Sequence, residues 1–214
     1  MKNLFLIVLL LVMSPPLVKA QEDFKVNCPE THLSDWKVKV FKGQADYRLR
    51  NTPKPMIVLS TENSNYMLVR EFKDFDLLQY PCLTFEWMVE KHPLNGDLRK
   101  RATDDQAAGL YVVLPFFPEL VNFRAIGYVW DNGAPLGVYP SPSSSNIKYL
   151  VLRSGAAGLG RWHTEHRNIL EDFKAIWGIE VSGKRKVVVS LAADSDGTKS
   201  STLASFGTIR FLIK

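Results

Sequence analysis

The sequence predicts an all-β protein: an antiparallel β-sandwich that carries one short helix. About ten short segments have the alternation, or the β-branched and aromatic content, of strands, and turn residues separate them. Only one segment, at about residues 168–177, has the spacing of an amphipathic helix. Short strands at this spacing are typical of sandwiches and barrels rather than of alternating strand–helix units.

Residues 1–20 are predicted to be a secretory signal peptide, which leaves residues 21–214 as a single β-sandwich domain. Lys2 gives a positive start, and Leu4–Met13 is an unbroken apolar run that precedes a cut after Ala20. This run is too short to span a bilayer, although an uncleaved anchor is the alternative. We therefore expect a periplasmic or secreted protein.

Composition and charge argue against two classes of partner. The 214 residues are 46% hydrophobic, which is ordinary for a globular protein. The net charge is +5, and loss of Lys2 and Lys19 with the signal peptide would leave 25 basic and 22 acidic residues. So mild an excess does not predict binding to nucleic acid, and no later apolar run predicts membrane insertion. The sequence has no dinucleotide fingerprint or phosphate-binding glycine loop, so no cofactor is predicted.

Ten segments are predicted as strands, and the clearest is Leu83–Val89, in which every second residue is apolar. Turn chemistry ends several of them, as Pro115 and Asp131-Asn132-Gly133 do. The other nine, in chain order, are Lys37–Phe41, Tyr47–Arg50, Met56–Leu59, Tyr66–Arg70, Ala107–Leu114, Arg124–Trp130, Lys148–Arg153, Lys186–Ala192 and Ser205–Ile213.

One helix is predicted near the end of the chain. Its apolar residues fall on a single helical stripe. Asn168 can cap its start, with Glu171 three residues later as in a capping box, and Gly178 can end it. The stripe consists of Ile169, Leu170, Phe173, Ile176 and Trp177.

The polar segment before this helix is predicted to be extended. Side chains then alternate, so that His163, Glu165 and Arg167 share one face while His166 points the other way. The two histidines therefore do not share a metal ion, and their spacing matches no zinc motif. Glu165 can form an ion pair with Arg167 or with Arg153. The alternatives to an ion pair are that this polar row recognises a ligand or that it takes part in catalysis.

Two acidic segments and two cysteines have more than one interpretation. Asp104-Asp105 can cap a turn or strand end, or contact a ligand or cation. The Asp194–Thr198 segment resembles the start of a calcium loop but fits a hairpin turn better.

In an oxidising compartment Cys28 and Cys82 can form a disulfide; closing a loop of about 55 residues would then stabilise the fold by about 4 kcal/mol. One buried and one exposed thiol is the alternative.

Aromatic residues on two strands are candidates for a platform on which a sugar ring stacks. Tyr111 shares a face with Gly109 and Val113, and Trp130 shares one with Tyr128. Such rings offer a large apolar surface with a polar handle. Burial of the same rings in the core is the alternative, and it is the interpretation we favour for Tyr128.

Several of these segments resemble the bacterial exported family catalogued as domain of unknown function 3047. Two positions depart from the family pattern: Gly109 stands where that pattern has a basic residue, and Thr208 where it has an acidic one. The segments that carry the resemblance are LTFEWMV (83–89), DDQAAGLYVV (104–113), IGYVWD (126–131), YLVLRSG (149–155), residues 160–178, DSDGT (194–198) and FGTIRF (206–211).

The resemblance implies a jelly-roll sandwich similar to carbohydrate-binding modules, in which an acidic residue near the last strand often helps to hold a calcium ion. Thr208 stands at that position and weakens the case for calcium, so no metal site is assigned, and whether a structural calcium is bound stays open. We expect a non-catalytic module that binds a saccharide or another polar ligand. Stacking is assigned to Tyr111 and Trp130. Hydrogen bonding is assigned to Asp105, Arg153, Glu165 and Arg167.

Two further hypotheses remain open at this stage. An envelope glycan hydrolase or lyase would need acidic groups that converge in one cleft, for example Glu165 with Asp104, Asp105 or Asp172. An envelope interaction protein would instead show a large exposed apolar patch.

Overall fold

Two β-sheets pack face to face in the computed structural model, which describes residues 22–27, 32–119 and 121–214. The predicted sandwich is therefore confirmed. The predicted signal peptide and Cys28 lie outside the described residues, so export and the disulfide with Cys82 stay predictions.

One sheet has six strands, numbered here along the chain. The central strand β13 pairs with β6 on one side and β4 on the other. The short strand β1 also pairs with β13. The spatial order is β11 (His163–Asn168), β6 (Cys82–Lys91), β13 (Ser201–Leu212), β4 (Met56–Glu62) and β3 (Asp46–Arg50), with β1 (Phe24–Asn27) also on β13.

The other sheet has seven strands. Short 3-10 turns at Leu33–Asp35 and Arg101–Thr103 precede two of them. The spatial order is β2 (Lys37–Lys42), β5 (Asn65–Asp76), β12 (Lys184–Asp194), β7 (Ala108–Pro115), β8 (Phe123–Asp131), β10 (Ile147–Ser154) and β9 (Gly137–Pro140).

One pair of strands departs from the antiparallel arrangement. β10 runs parallel to β8, whereas β9 and β10 are antiparallel neighbours. The chain leaves β8, forms β9 at the edge of the sheet, and returns to place β10 between the two. A parallel pair needs a longer connection than a tight hairpin, and residues 132–146, which include β9, provide it.

The core lies between the inner faces of the sheets. The alternating residues Leu83, Phe85, Trp87 and Val89 of the predicted strand are all fully buried there, as the alternation predicts. From the other sheet, β7 contributes Leu110 and Val112, and β8 contributes Tyr128 and Trp130. Outward-facing residues of β7 and β8 are also buried, so these two central strands have little exposed surface on either face.

The predicted helix is α1 (Ile169–Trp177), and its ends are those that the sequence predicts. The Asn168 side chain accepts hydrogen bonds from the backbone N–H groups of Leu170 and Glu171, at 3.1 and 3.3 Å. Gly178 follows in the left-handed conformation with φ 68°. The helix directly follows β11, so the polar segment before it is extended, as predicted.

Within the residues that the structure describes, α1 and the 3-10 turns are the helical elements, and none of them has the length and apolar character that a bilayer crossing requires.

Candidate functional site

A groove of about 810 Å³ lies on the outer face of the seven-stranded sheet, away from the six-stranded one. Alternation along each strand places the groove residues there: Tyr111 and Val113 point outward, whereas Leu110 and Val112 point into the core. Six neighbouring strands, β2 to β10, contribute residues. Five inter-strand spacings give the groove a width of about 24 Å across the sheet.

The floor of the groove is built around Tyr111, whose ring lies against two glycines. A Cβ atom at Gly109 or at Gly127 would approach a ring carbon of Tyr111 to 2.7 Å, closer than real contacts allow. Both positions must therefore lack a side chain for the ring to lie where it does. Tyr111 is 8% exposed, and its hydroxyl donates to Gln106 Oε1 at 3.4 Å.

A second tyrosine stands across the floor from the first. The rings of Tyr149 and Tyr111 meet edge to face, with centroids 6.3 Å apart and an interplanar angle of 76°. The Tyr149 hydroxyl lies 3.4 Å from both Asp104 Oδ2 and Ser141 Oγ. Burial raises the pKa of both tyrosines above the usual value, so their hydroxyls stay protonated and can donate.

Asp104 brings a carboxyl group into this cluster. Its Oδ1 accepts from Gln106 Nε2 at 2.7 Å, and its Oδ2 faces the Tyr149 hydroxyl. Burial raises the pKa of Asp104 to about 7, an effect that these hydrogen bonds only partly oppose. Near neutral pH the group can therefore donate as well as accept a hydrogen bond.

The edge of the groove at β2 carries a more exposed aromatic ring. Phe41 is 51% exposed, and Lys39 Nζ lies 4.9 Å from its ring centroid. Between this edge and Tyr111, the floor is formed by small or apolar side chains, among them Met67, Val69, Val188, Ser190 and Ala192.

Asp105 lies beside the groove but is used by the protein itself. It is 1% exposed, and its carboxylate accepts from the backbone N–H groups of Gly197 and Thr198, at 3.0 and 2.7 Å, and from the Thr198 hydroxyl at 2.6 Å. The capping interpretation therefore accounts for Asp105, and we remove this residue from the predicted ligand contacts. Its role is to hold the 194–198 turn in place.

Three carboxylates at this turn have the chemistry of a hard-cation site. Ligand atoms of Asp105, Asp194 and Asp196 lie within 4.8 Å of one another. Asn65 Nδ2 donates to Asp194 Oδ2 at 2.6 Å, and Lys42 Nζ pairs with Asp196 at 3.1 Å. Burial and the neighbouring carboxylates raise the pKa of Asp194 to about 9.

The prediction that Trp130 forms an exposed platform is wrong. Trp130 is 0% exposed and points between the sheets, where its ring packs on Trp87 and His163. Its Nε1 donates to the Gly155 carbonyl at 3.1 Å. Because β8 is buried on both faces, its hydrophobic pattern does not show which face carries the core and which carries the groove.

The other three predicted contacts form ion pairs between the sheets and around α1. Arg153 Nε and Trp87 Nε1 both donate to Glu165 Oε1, at 2.6 and 3.0 Å. Arg167 pairs with Asp172, which also accepts from the Tyr128 hydroxyl at 2.8 Å. These contacts fit the ion-pair interpretation, in which Arg153 is the partner of Glu165.

This arrangement corrects the assignment of Arg153, Glu165 and Arg167 as ligand contacts, because their charged groups bind one another and the core. It also separates Glu165 from Asp104, which faces the groove, so the two do not form the acidic pair that the hydrolase hypothesis needs. His163 Nε2 donates to the Gly158 carbonyl at 3.1 Å, while His166 on the opposite face is exposed.

Tyr149, Gln106 and Phe41 belong to the groove but were not predicted from the sequence. A partial signal for Tyr149 exists, since it alternates with Ile147 and Val151 on β10. Phe41 and Gln106 have no such signal, because their position depends on which strands become neighbours.

The family model described as "Protein of unknown function (DUF3047)" matches residues 34–210. No curated protein matches the sequence significantly. The fold is similar to that of a family 30 carbohydrate-binding module from a cellulosomal cellulase of Clostridium thermocellum, with a TM-score of 0.52, 9% identity, and coverage of 91% of this chain and 99% of that one.

A second similar structure is a carbohydrate-binding module of the β-sandwich superfamily. The TM-score is 0.50 and the identity 10%, with coverage of 90% of this chain and 63% of that one, so the chain spans under two thirds of its length. At such identities the likeness shows the fold alone. The chain thus belongs to the DUF3047 family, and its fold is that of carbohydrate-binding β-sandwiches.

Proposed function

We propose that this protein is an exported, non-catalytic module that binds a saccharide chain in the groove of its seven-stranded sheet. The observation that carries the proposal is the lining of the groove. Aromatic rings on an apolar floor lie beside hydroxyl, amide and carboxyl groups. A sugar-binding site needs an apolar surface and polar groups, because sugar rings have apolar faces and their edges carry hydroxyls.

The dimensions support an extended ligand. The volume lies within the range of about 300–1,000 Å³ that is usual for small-molecule sites. The groove crosses six strands, so several sugar rings in a row can contact it. The likeness to carbohydrate-binding modules supports the same function.

Each part of the lining has a chemical role. Phe41 offers the exposed ring on which a sugar stacks, and Tyr111 fixes the depth of the floor. Asp104, Gln106 and Tyr149 form a hydrogen-bonded cluster that can donate to and accept from sugar hydroxyls.

Affinity gel electrophoresis tests this proposal. Xyloglucan, galactomannan and mixed-linkage β-glucan, each cast in a native gel, are soluble neutral probes. At least one should retard the protein, and Phe41→Ala should weaken that binding by about two- to twelvefold, because an aromatic contact contributes about 0.5–1.5 kcal/mol. Trp162→Ala is the matched control, since Trp162 is a half-buried aromatic residue that contacts Lys54 and faces away from the groove.

If Trp162→Ala reduces the retardation and Phe41→Ala leaves it unchanged, the binding site lies on the other sheet. Migration unaffected by every polymer would contradict the proposal.

A further inference from the structure

The seven-stranded sheet ends at a strand that the other sheet does not cover. All six residues of β2 (Lys37–Lys42) are exposed, and among the described residues this strand pairs with β5 alone. Val38 and Val40 point to the same side of the sheet as their β5 partners Leu68 and Tyr66. Those partners are 0% exposed, whereas Val38 is 38% and Val40 is 48% exposed. The cover that the six-stranded sheet provides therefore ends between β5 and β2.

The opposite face of β2 carries positive charge. Lys37 and Lys39 alternate with the two valines, and neither forms an ion pair with a described residue, whereas Lys42 pairs with Asp196. Because β2 is the last strand on its side, backbone N–H and C=O groups point outward along its free edge. The strand thus offers an apolar face, a basic face and an open backbone edge between them.

The other edge strands of the described sheets differ from β2. At β9 the strand has four residues and ends at Pro140, which has no N–H to donate. At β11 the charged groups of Glu165 and Arg167 are held by partners within the fold. At β3 the inward side chains of Tyr47 and Leu49 pack on the core. Exposed apolar side chains on the inner face of an edge strand are therefore a property of β2.

We propose that β2 is a docking site for an extended acidic segment of a partner protein, which adds to the seven-stranded sheet as a further strand. Main-chain hydrogen bonds supply affinity in this binding mode, and alternate side chains supply specificity. Acidic side chains of the segment would lie opposite Lys37 and Lys39. Apolar side chains between them would cover Val38 and Val40, so the segment has alternating acidic and apolar residues.

The lysines decide which kind of strand can occupy this edge. Lysine on an edge strand discourages pairing with most other strands, because like charges that face each other across a ladder are destabilising. A second copy of β2 would bring its own lysines to the same edge. An acidic segment removes this penalty and gains the attraction, so we assign the edge to an acidic partner rather than to a second copy.

Fluorescence polarisation with short labelled peptides tests the proposal. The probe is a blocked peptide of alternating glutamate and valine with the six-residue length of β2. It should bind near neutral pH, and added salt should weaken the binding. A lysine–valine peptide lacks the complementary charge, and a glutamate–serine peptide lacks the apolar face. Each should bind at least about tenfold more weakly.

Two methylated forms of the glutamate–valine peptide report on backbone pairing. Neighbouring residues of a strand direct their N–H groups to opposite edges, so methylation of the glutamate amides and methylation of the valine amides block different edges. One form should lose binding and the other should retain it. Equal effects of the two methylations would contradict strand addition.

Variants of β2 locate the binding. Val38→Thr with Val40→Thr keeps the strand propensity and should reduce affinity at least about fivefold, because two apolar contacts are lost. Lys37→Glu should reduce it about threefold or more. The matched controls are Val138→Thr on the opposite edge strand β9 and Lys91→Glu on the other sheet. Both residues are exposed, and both variants should bind as the parent does.

Three results would overturn the proposal. They are no binding of the glutamate–valine peptide, equal binding of the lysine–valine peptide, and equal losses in the β2 and control variants. A dimer in analytical ultracentrifugation that Val38→Thr with Val40→Thr dissociates would also overturn it, because a second copy would then occupy the edge. The saccharide proposal stands apart from these outcomes, since the two valines point away from the groove.

Discussion

Tyr111 shows how a single residue is positioned by its neighbours rather than by its own chemistry. Its ring lies on Gly109 and Gly127, which are small enough to admit it. The sequence predicts Tyr111 as a contact because a glycine shares its face. The same reasoning fails for Trp130, since the pattern of a strand buried on both faces does not indicate which face packs against the other sheet.

Replacement of Gly109 by valine should displace the Tyr111 ring. We expect a loss of stability of about 1–3 kcal/mol, which is typical of overpacking, and weaker saccharide binding. Chemical denaturation and affinity gels measure the two effects. If valine acts through the ring, adding Tyr111→Ala should cause little further loss of binding, and additive losses would contradict this explanation.

Asp104 should make the stability of the protein fall as pH rises. Its pKa is about 7 in the folded state and about 3.9 in an unfolded chain, so the folded state holds the proton more tightly. Stability then decreases between about pH 4 and pH 7 and stays lower above that range.

Asp104→Asn should remove this decrease while keeping a hydrogen bond with Gln106. At pH 8 the variant should be more stable than the parent by about 1–3 kcal/mol, and at pH 4 the two should be nearly equal. Urea denaturation at both pH values measures the difference. The same difference at pH 4 and pH 8 would show that Asp104 does not titrate in this way.

The helix is the element for which local sequence is most informative. Its apolar stripe, Asn168 and Gly178 all act within a few residues of one another, so no distant contact is needed to predict them. Strands β1 and β9 were not predicted, because each has four residues and depends on a partner far along the chain.

Asn168→Ala should cost about 1 kcal/mol, because the N–H groups of Leu170 and Glu171 would lose their acceptor. Asn168→Ser is the matched control, as a hydroxyl can cap the same groups, and it should retain most of the stability. Thermal denaturation compares them, and equal losses in both variants would show that the cap is not the cause.

The contact between β10 and β11 joins the two sheets through one carboxylate. Glu165→Ala would leave Arg153 and the Trp87 N–H without their shared acceptor, and should destabilise the protein by about 2–4 kcal/mol. Removing Arg153 as well should recover part of that loss. At a temperature where the variant is still folded, its affinity for saccharide should equal that of the parent protein. A loss of affinity without a loss of folding would show that Glu165 contacts the ligand.

At the scale of the whole molecule, the sandwich follows from the number and spacing of strands, but the groove does not. β2 and β10 reach the same groove only because the four strands between them, which come from distant parts of the sequence, lie in one order. Periodicity carries no information on that order. The carboxyl groups of the groove are likewise brought together by topology, since they come from β5, β12 and three loops.

The most direct test is a chemical-shift map of ¹⁵N-labelled protein titrated with xyloglucan, galactomannan and mixed-linkage β-glucan oligosaccharides. Saccharide binding in the groove predicts saturable shifts at amides of β2, β12, β7 and β10, with β4 and β13 nearly unchanged. Shifts confined to β4 and β13, or none with any of the three, would contradict it.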